Sequence, residues 1–234
     1  MDIFCVLGEK EKHYRNKPPS ILLGAVEDAL AKEYDRENVS RQRRSVTVNF
    51  GIEVLEDQSG DRVVSFDVVP AFASGDDYEI PDTGTASGWT RTNPRIHEEK
   101  ATAAHQAYAG EWKGLVRMMK YWNNNHDKPI KPSFLVEVMA LEILHPPYGG
   151  DRARELQGLF ATLAARIRNT WEDPAGLGPP VSDMMDSARK AAAQKALQGA
   201  EREAAHALAL SRTGKQGDAL QAWRALFGPL FPLS

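Results

Sequence analysis

The hydrophobic period of this chain changes once, near residue 93, and that change restricts the fold more than any single motif. Before it, Val46, Val48, Phe50, Ile52 and Val54 alternate with Thr47, Asn49, Gly51 and Glu53, the period of two of a half-buried strand. The turn EDQSGD and a second run, RVVSFDVVP, predict a hairpin that Pro70 ends. An earlier strand, DIFCVL, sets Asp2, Phe4 and Val6 on one face and Ile3, Cys5 and Leu7 on the other. Between these strands, Pro18 and Pro19 introduce a helix marked by Leu22, Val26, Ala29, Leu30 and Tyr34. DRENVSRQRR reads as a charged connector, and 71–94, rich in Gly, Asp, Ser and Thr, as a long loop. Beyond Pro94 the spacing is helical throughout. Trp112, Leu115, Val116, Met119 and Trp122 form one stripe, KPSFLVEVMALEIL a second helix with Ser133 as its N-cap, and Asp151 caps a third. An Ala-rich helix from about Asp183 to Arg212 and a short one, ALQAWRALF, follow. Strands in front and helices behind define an α+β chain, with a β-containing part over 1–92 and an all-helical part over 93–234.

Composition narrows the function. The 234 residues carry 29 Lys+Arg against 32 Asp+Glu, a formal net charge of -3, which argues against a protein whose main task is coating nucleic acid. A single cysteine, Cys5, excludes an intramolecular disulfide framework and fits a reducing compartment. No apolar run approaches a membrane span and the N-terminus lacks signal-peptide form, so the expectation is a cytoplasmic protein.

Few residues invite chemistry. Asp67 lies inside VVSFDVVP, where a carboxylate is costly unless it is paired, solvated at a cleft or bound to a cation. Asp2 opens a strand. Each has a bland reading, as a solvent-facing strand residue, and a functional one. Brought side by side, the two would offer hard oxygen ligands to Mg²⁺. Lys120 closes the stripe VRMMKYWN, and Ser133 follows Lys131-Pro132 at a helix start. A lysine with a hydroxyl and amides at a helix N-terminus can hold a phosphate tail; taken singly, each also reads as a solvated lysine or a simple cap. His97 and His105 show no zinc spacing and read as helix-surface or core residues. Walker, Rossmann and Gly-x-Ser-x-Gly motifs are absent. Cys5 reads as a buried thiol, and RQRR at 41–44 as a small solvated basic cluster.

Several segments, in order, resemble the bacterial cGAS/DncV-like nucleotidyltransferases (CD-NTases), relatives of the oligoadenylate synthases. These are DIFCVL, FDVVPAF, YEIPDTGTASGWTRTNPRIH, GLVRMMKYWN, KPSFLVEVMALEIL and WRALFGPLFP, which together reach nearly end to end. The resemblance implies a polymerase-β-like nucleotidyltransferase core, followed by an all-helical domain that closes a nucleotide cleft. It makes Asp2 the second carboxylate of a D-x-D metal motif and Asp67 the third acidic residue, both ligands of Mg²⁺ (or Mn²⁺), with Asp67 also activating the attacking ribose hydroxyl. It sets Lys120 and Ser133 on the donor triphosphate and Phe134 against a base. The implied reaction joins nucleoside triphosphates (ATP, with GTP or pyrimidine nucleotides as further substrates) into cyclic or linear oligonucleotides. An effector protein reads these signals in antiphage defence. Neither a membrane nor stable nucleic-acid binding is implied.

The family's Gly-Ser turn and first D-x-D aspartate lie upstream of its first motif strand, whereas Met1 here occupies the middle D-x-D position. On this reading the core is incomplete at its N-terminus and catalysis by the chain as given is impaired. Two other functions stand beside the first. One is a non-catalytic nucleotide-binding or partner-binding remnant. The other is a polymerase-β-like enzyme that extends RNA ends, which the acidic balance disfavours.

Overall fold

The computed structural model describes residues 2–53 and 63–233, and the expected turn EDQSGD lies outside them. The chain divides into two compact units, Met1–Pro94 and Arg95–Ser234.

The first unit is a mixed sheet with one helix on a face. Its strands are β1 (Asp2–Val6), β2 (Val39–Arg41), β3 (Val46–Glu53), β4 (Val63–Ser74), β5 (Asp77–Pro81) and β6 (Trp89–Thr92), and its helix is α1 (Pro19–Leu30). The hydrogen-bonded order is β2-β3-β4-β5-β6, with β1 added parallel to β4. The alternation in β3 works as expected at its start, but Phe50, on the face expected to be buried, is exposed where the pairing with β4 shifts register. Val46 and Val48 are buried with Val39 and Leu23 of α1, while Thr47 and Asn49 face the other way.

Four expectations fail here. β4 runs through Pro70 to Ser74. Its partner β3 reaches Val68 and its partner β5 begins opposite Phe72, so Pro70 lies in the gap between two ladders. The Ala71 carbonyl accepts from Leu7 N on the β1 side, which points the neighbouring Pro70 nitrogen away from β1, and its missing N–H costs no ladder bond. The supposed loop over 71–94 holds β5 and β6 and the end of β4. The charged connector contains β2. Cys5, expected to be buried, is exposed.

The second unit is helical: α2 (Pro94–Ala107, beginning on the last residue of the first unit), α3 (Trp112–Asn125), α4 (Phe134–Ile143), α5 (Arg152–Arg166), α6 (Ser187–Arg212) and α7 (Gln216–Phe227). The whole Trp112–Trp122 stripe of α3 is buried in one core with Leu135 and Met139 of α4, Phe160 of α5 and Phe227 of α7. Asp151 caps α5 as expected, accepting from Ala153 N and Arg154 N. The Ala-rich helix starts at Ser187, later than expected, because Asp186 caps it at Arg189 N and 181–184 form a separate tight turn. No helix among the described residues is long and apolar enough to cross a membrane.

Candidate nucleotidyltransferase site

In the first unit the candidate carboxylates meet. β1 and β4 pair in a register that sets Asp2 opposite Asp67, and β3 pairs on the other side with Thr47 opposite Asp67. Residues directly opposite in a ladder share a face, on strands about 4.8 Å apart. Asp2, Asp67 and Thr47 therefore form one row across three strands. The Thr47 hydroxyl donates to Asp67 Oδ1, which orients that carboxylate. Asp67 is half-buried, with Val69 and Phe4 next along the same face, while Asp2 is exposed.

Two carboxylates and open approach fit a cation such as Mg²⁺, which takes one or two carboxylates and completes its shell with phosphate and water oxygens. Among the described residues no group of three His, Cys, Asp or Glu side chains gathers into an all-protein cage.

A second feature ties the β2–β3 connection to the β5–β6 connection. Asp82, directly after β5, is fully buried and accepts from Arg43 Nη2 at 3.0 Å, Arg44 Nε at 2.8 Å and Gly84 N at 2.9 Å, with Arg43 Nε also donating. Burial pushes its carboxyl up, but the bonds from Arg43, Gly84 and Arg44 outweigh burial and hold it below the usual range. Gly84 is needed because a Cβ there would collide with the Arg43 guanidinium. Arg41 pairs with the nearly buried Glu27 at 2.7 Å. Within RQRR, Arg43 and Arg44 are thus held by Asp82 and only part-exposed, whereas Arg41 and Gln42 are solvent-exposed as expected.

In the second unit Lys120 of α3 is ion-paired with Glu137 of α4. Ser133 stands at the N-cap position of α4 without capping it. Its φ of -61° and ψ of -23° are already helical, so the hydroxyl is not presented to the first turn's amides. That hydroxyl is exposed and lines an open cavity of about 500 Å³ together with Asn123, Lys128, Lys131 and Arg189. Lys120 does not line it. Phe134 is partly buried on the core and lies against His97, with ring centroids 4.9 Å apart.

His97 is in turn bound to Asp173 at 2.8 Å, and Asp173 also accepts from Ala175 N, Leu177 N and Gly178 N. Burial raises the Asp173 carboxyl; the bonds from His97 and the three amides win and bring it down to about 2.

Thr47, Asp173 and Asn123 escape sequence reasoning, because each acts through partners set by tertiary pairing. Glu137 does not wholly escape it, since the run Phe134-x-x-Glu137 belongs to a segment already singled out for its resemblance.

The mixed sheet with its paired carboxylates and the helices that follow it make an α+β fold that solved nucleotide cyclases share. The solved Vibrio cholerae DncV cyclic AMP-GMP synthase, in complex with a linear intermediate, superposes with a TM-score of 0.71 at 14% identity, over 99% of this chain and 63% of that one. A family model described as the Second Messenger Oligonucleotide or Dinucleotide Synthetase domain matches residues 7–104. A probable cyclic nucleotide synthase of Bacillus cereus (strain VD146) is 30% identical over 211 residues, covering 87% of this chain. A cyclic AMP-AMP-AMP synthase of Acinetobacter sp. (strain ATCC 27244 / 9458) is 27% identical over 95% of this chain. The chain spans 60% and 63% of the length of these two curated relatives. Over residues 7–104 it is similar to that synthetase domain, and along most of its length to these cyclic nucleotide synthases.

Proposed function

We propose that this protein joins nucleoside triphosphates, ATP among them, into cyclic oligonucleotides, which act as cytoplasmic signals read by an effector protein in antiphage defence. The observation that carries the reading is the Asp2–Asp67 register, within a chain similar to cyclic nucleotide synthases.

Asp2 and Asp67 would hold Mg²⁺ (or Mn²⁺), which when bound neutralises phosphate charge and makes an attacking hydroxyl more acidic. Thr47 keeps the Asp67 carboxylate turned into the row. Asp67 accepts the proton of the ribose hydroxyl. Lys120 and Ser133 bind the donor phosphates, and Phe134, backed by His97, offers a ring to a base.

The test is to incubate the protein with α-labelled nucleoside triphosphates and Mg²⁺ or Mn²⁺. A phosphatase-resistant oligonucleotide that disappears with Asp67→Ala supports the reading. Nucleotide binding without any such product supports a non-catalytic nucleotide-binding module instead.

A further inference from the structure

A carboxylate stands where the proposed function puts phosphate. Lys120 of α3 is ion-paired with Glu137 of α4, and among the described residues Lys120 Nζ has no other hydrogen-bond partner. The backbone under both side chains is fixed. Met119, next to Lys120, and Val136 and Val138, which flank Glu137, are buried in one core. The Trp112 indole N–H also donates to the Ala140 carbonyl at 3.2 Å and ties α3 to α4. The freedom that remains lies in the side chains, above all in the four-carbon stem of the lysine.

Glu137 shares a face of α4 with Ser133. The Ser133 backbone is already helical, so the two residues lie four apart on one helical track, about 6 Å along its axis. An ammonium held on Glu137 is therefore kept within about one turn of the Ser133 hydroxyl. It has three N–H donors, and Glu137 Oε1 takes one, which leaves two for phosphate oxygens. The carboxylate also repels those oxygens, and the magnitudes decide which effect wins. At about 6 Å in water, one pair of like charges weakens binding roughly threefold. Stilling a freely rotating lysine stem on binding weakens it by up to roughly thirtyfold. Lys120 and Glu137 are each about a third exposed, so water screens the repulsion and the gain from ordering the stem beforehand is the larger.

We propose that Glu137 is a positioning residue of the donor-phosphate site. Its carboxylate holds the Lys120 ammonium on the Ser133 face of α4 and stays bonded to it while the two other N–H groups bind phosphate oxygens. The inference rests on the function proposed above, which puts Lys120 and Ser133 on the donor phosphates. It adds a residue that touches the nucleotide only through Lys120.

The test is calorimetry on the full chain with inorganic triphosphate and with ATP, for Glu137→Ala, Glu137→Gln, Lys120→Ala and the double variant Lys120→Ala/Glu137→Ala. Both side chains are part-exposed, and a urea melt shows that each variant is folded. Glu137→Ala is expected to weaken binding of both ligands about tenfold. Glu137→Gln, whose amide oxygen still accepts from the ammonium, is expected to recover most of that loss. Added to Lys120→Ala, Glu137→Ala is expected to weaken binding no further, because Glu137 acts through Lys120. Glu142→Ala removes a carboxylate from the same helix, one that lies 3.6 Å from Arg166, and is expected to leave both affinities unchanged. Affinity unchanged or tightened by Glu137→Ala, or weakened by it equally with and without Lys120, overturns the inference; Lys120 keeps its own assignment if Lys120→Ala still weakens binding. Triphosphate affinity unchanged in Lys120→Ala removes Lys120 from the phosphates and overturns both. The expected pattern of affinities with no oligonucleotide formed from nucleoside triphosphates upholds the role of Glu137 and removes the proposed reaction.

Discussion

Asp2 on β1 and Asp67 on β4 stand opposite one another in a parallel ladder, and Thr47 on β3 grips the second carboxylate from the far side. Thr47 touches the cation only through Asp67 in this account. Thr47→Val keeps the strand's shape and removes the hydroxyl. It is expected to raise the Mg²⁺ concentration for half-maximal product formation about tenfold, with folding stability lowered by only about 1 kcal/mol. A Mg²⁺ titration of initial rate, paired with a urea melt, measures both.

Lys120 and Glu137 are each about a third exposed, at 31% and 29%, so their ion pair adds little to stability once solvent screening is counted. Lys120→Ala is expected to cost less than about 1 kcal/mol in a urea titration. If the same ammonium binds donor phosphates, its loss raises the nucleotide KM about tenfold or more. A stability loss without a KM change would assign Lys120 to the helix pair alone.

Asp82 is the opposite case. It is fully buried, and its removal leaves Arg43 and Arg44 without their acceptor. Both guanidinium groups are about one-third exposed and can partly resolvate, so Asp82→Asn is expected to cost about 3 kcal/mol, the low end for a broken buried pair. Chemical denaturation followed by tryptophan fluorescence checks this, because Trp89 lies on β6 in the same unit.

Asp173 links stability to acid. Its carboxyl is brought down to about 2 from an ordinary 3.8, so the unfolded chain takes up the proton first. The stabilisation is complete above about pH 4 and is lost as pH falls through about 2. It amounts to roughly 2 kcal/mol. Asp82, held low by its arginines, titrates with the same sign. Melting temperatures recorded from pH 6 down to pH 2 should therefore fall at the acid end, and Asp173→Asn should flatten part of that fall.

Much of the helical unit is legible from spacing, because one-sided burial writes itself as a period. The Trp112–Trp122 stripe predicts a buried face and Asp151 predicts a cap, and both hold. The β unit is less legible. β5 (DYEIP) and β6 (WTRT) are only five and four residues long, and their charged side chains are held in ion pairs, Asp77 with Arg91 across the two strands and Glu79 with Arg15 from outside them. Tyr78 and Ile80 do alternate with Asp77 and Glu79, but over too few residues to stand out as a strand. Pro70 marks a strand end by propensity, yet it falls where no ladder needs its nitrogen. Cys5 reads as buried from its strand alone yet is exposed, because burial depends on what lies over β1.

The site shows the same divide. Asp2 and Asp67 stand out as strand carboxylates, but their adjacency requires β1 to join the sheet beside β4, a pairing of distant segments. The partners Thr47, Asn123 and Asp173 become visible only when those segments meet.

The proposed reaction depends on the Asp2–Asp67 row binding the divalent cation. Electron paramagnetic resonance of Mn²⁺, titrated with the full chain and a non-hydrolysable ATP analogue, tests it without requiring turnover. Bound Mn²⁺ is expected, released by Asp2→Asn and by Asp67→Asn and retained by Asp77→Asn, whose carboxylate pairs with Arg91. Mn²⁺ affinity unchanged in both Asp2→Asn and Asp67→Asn would contradict it.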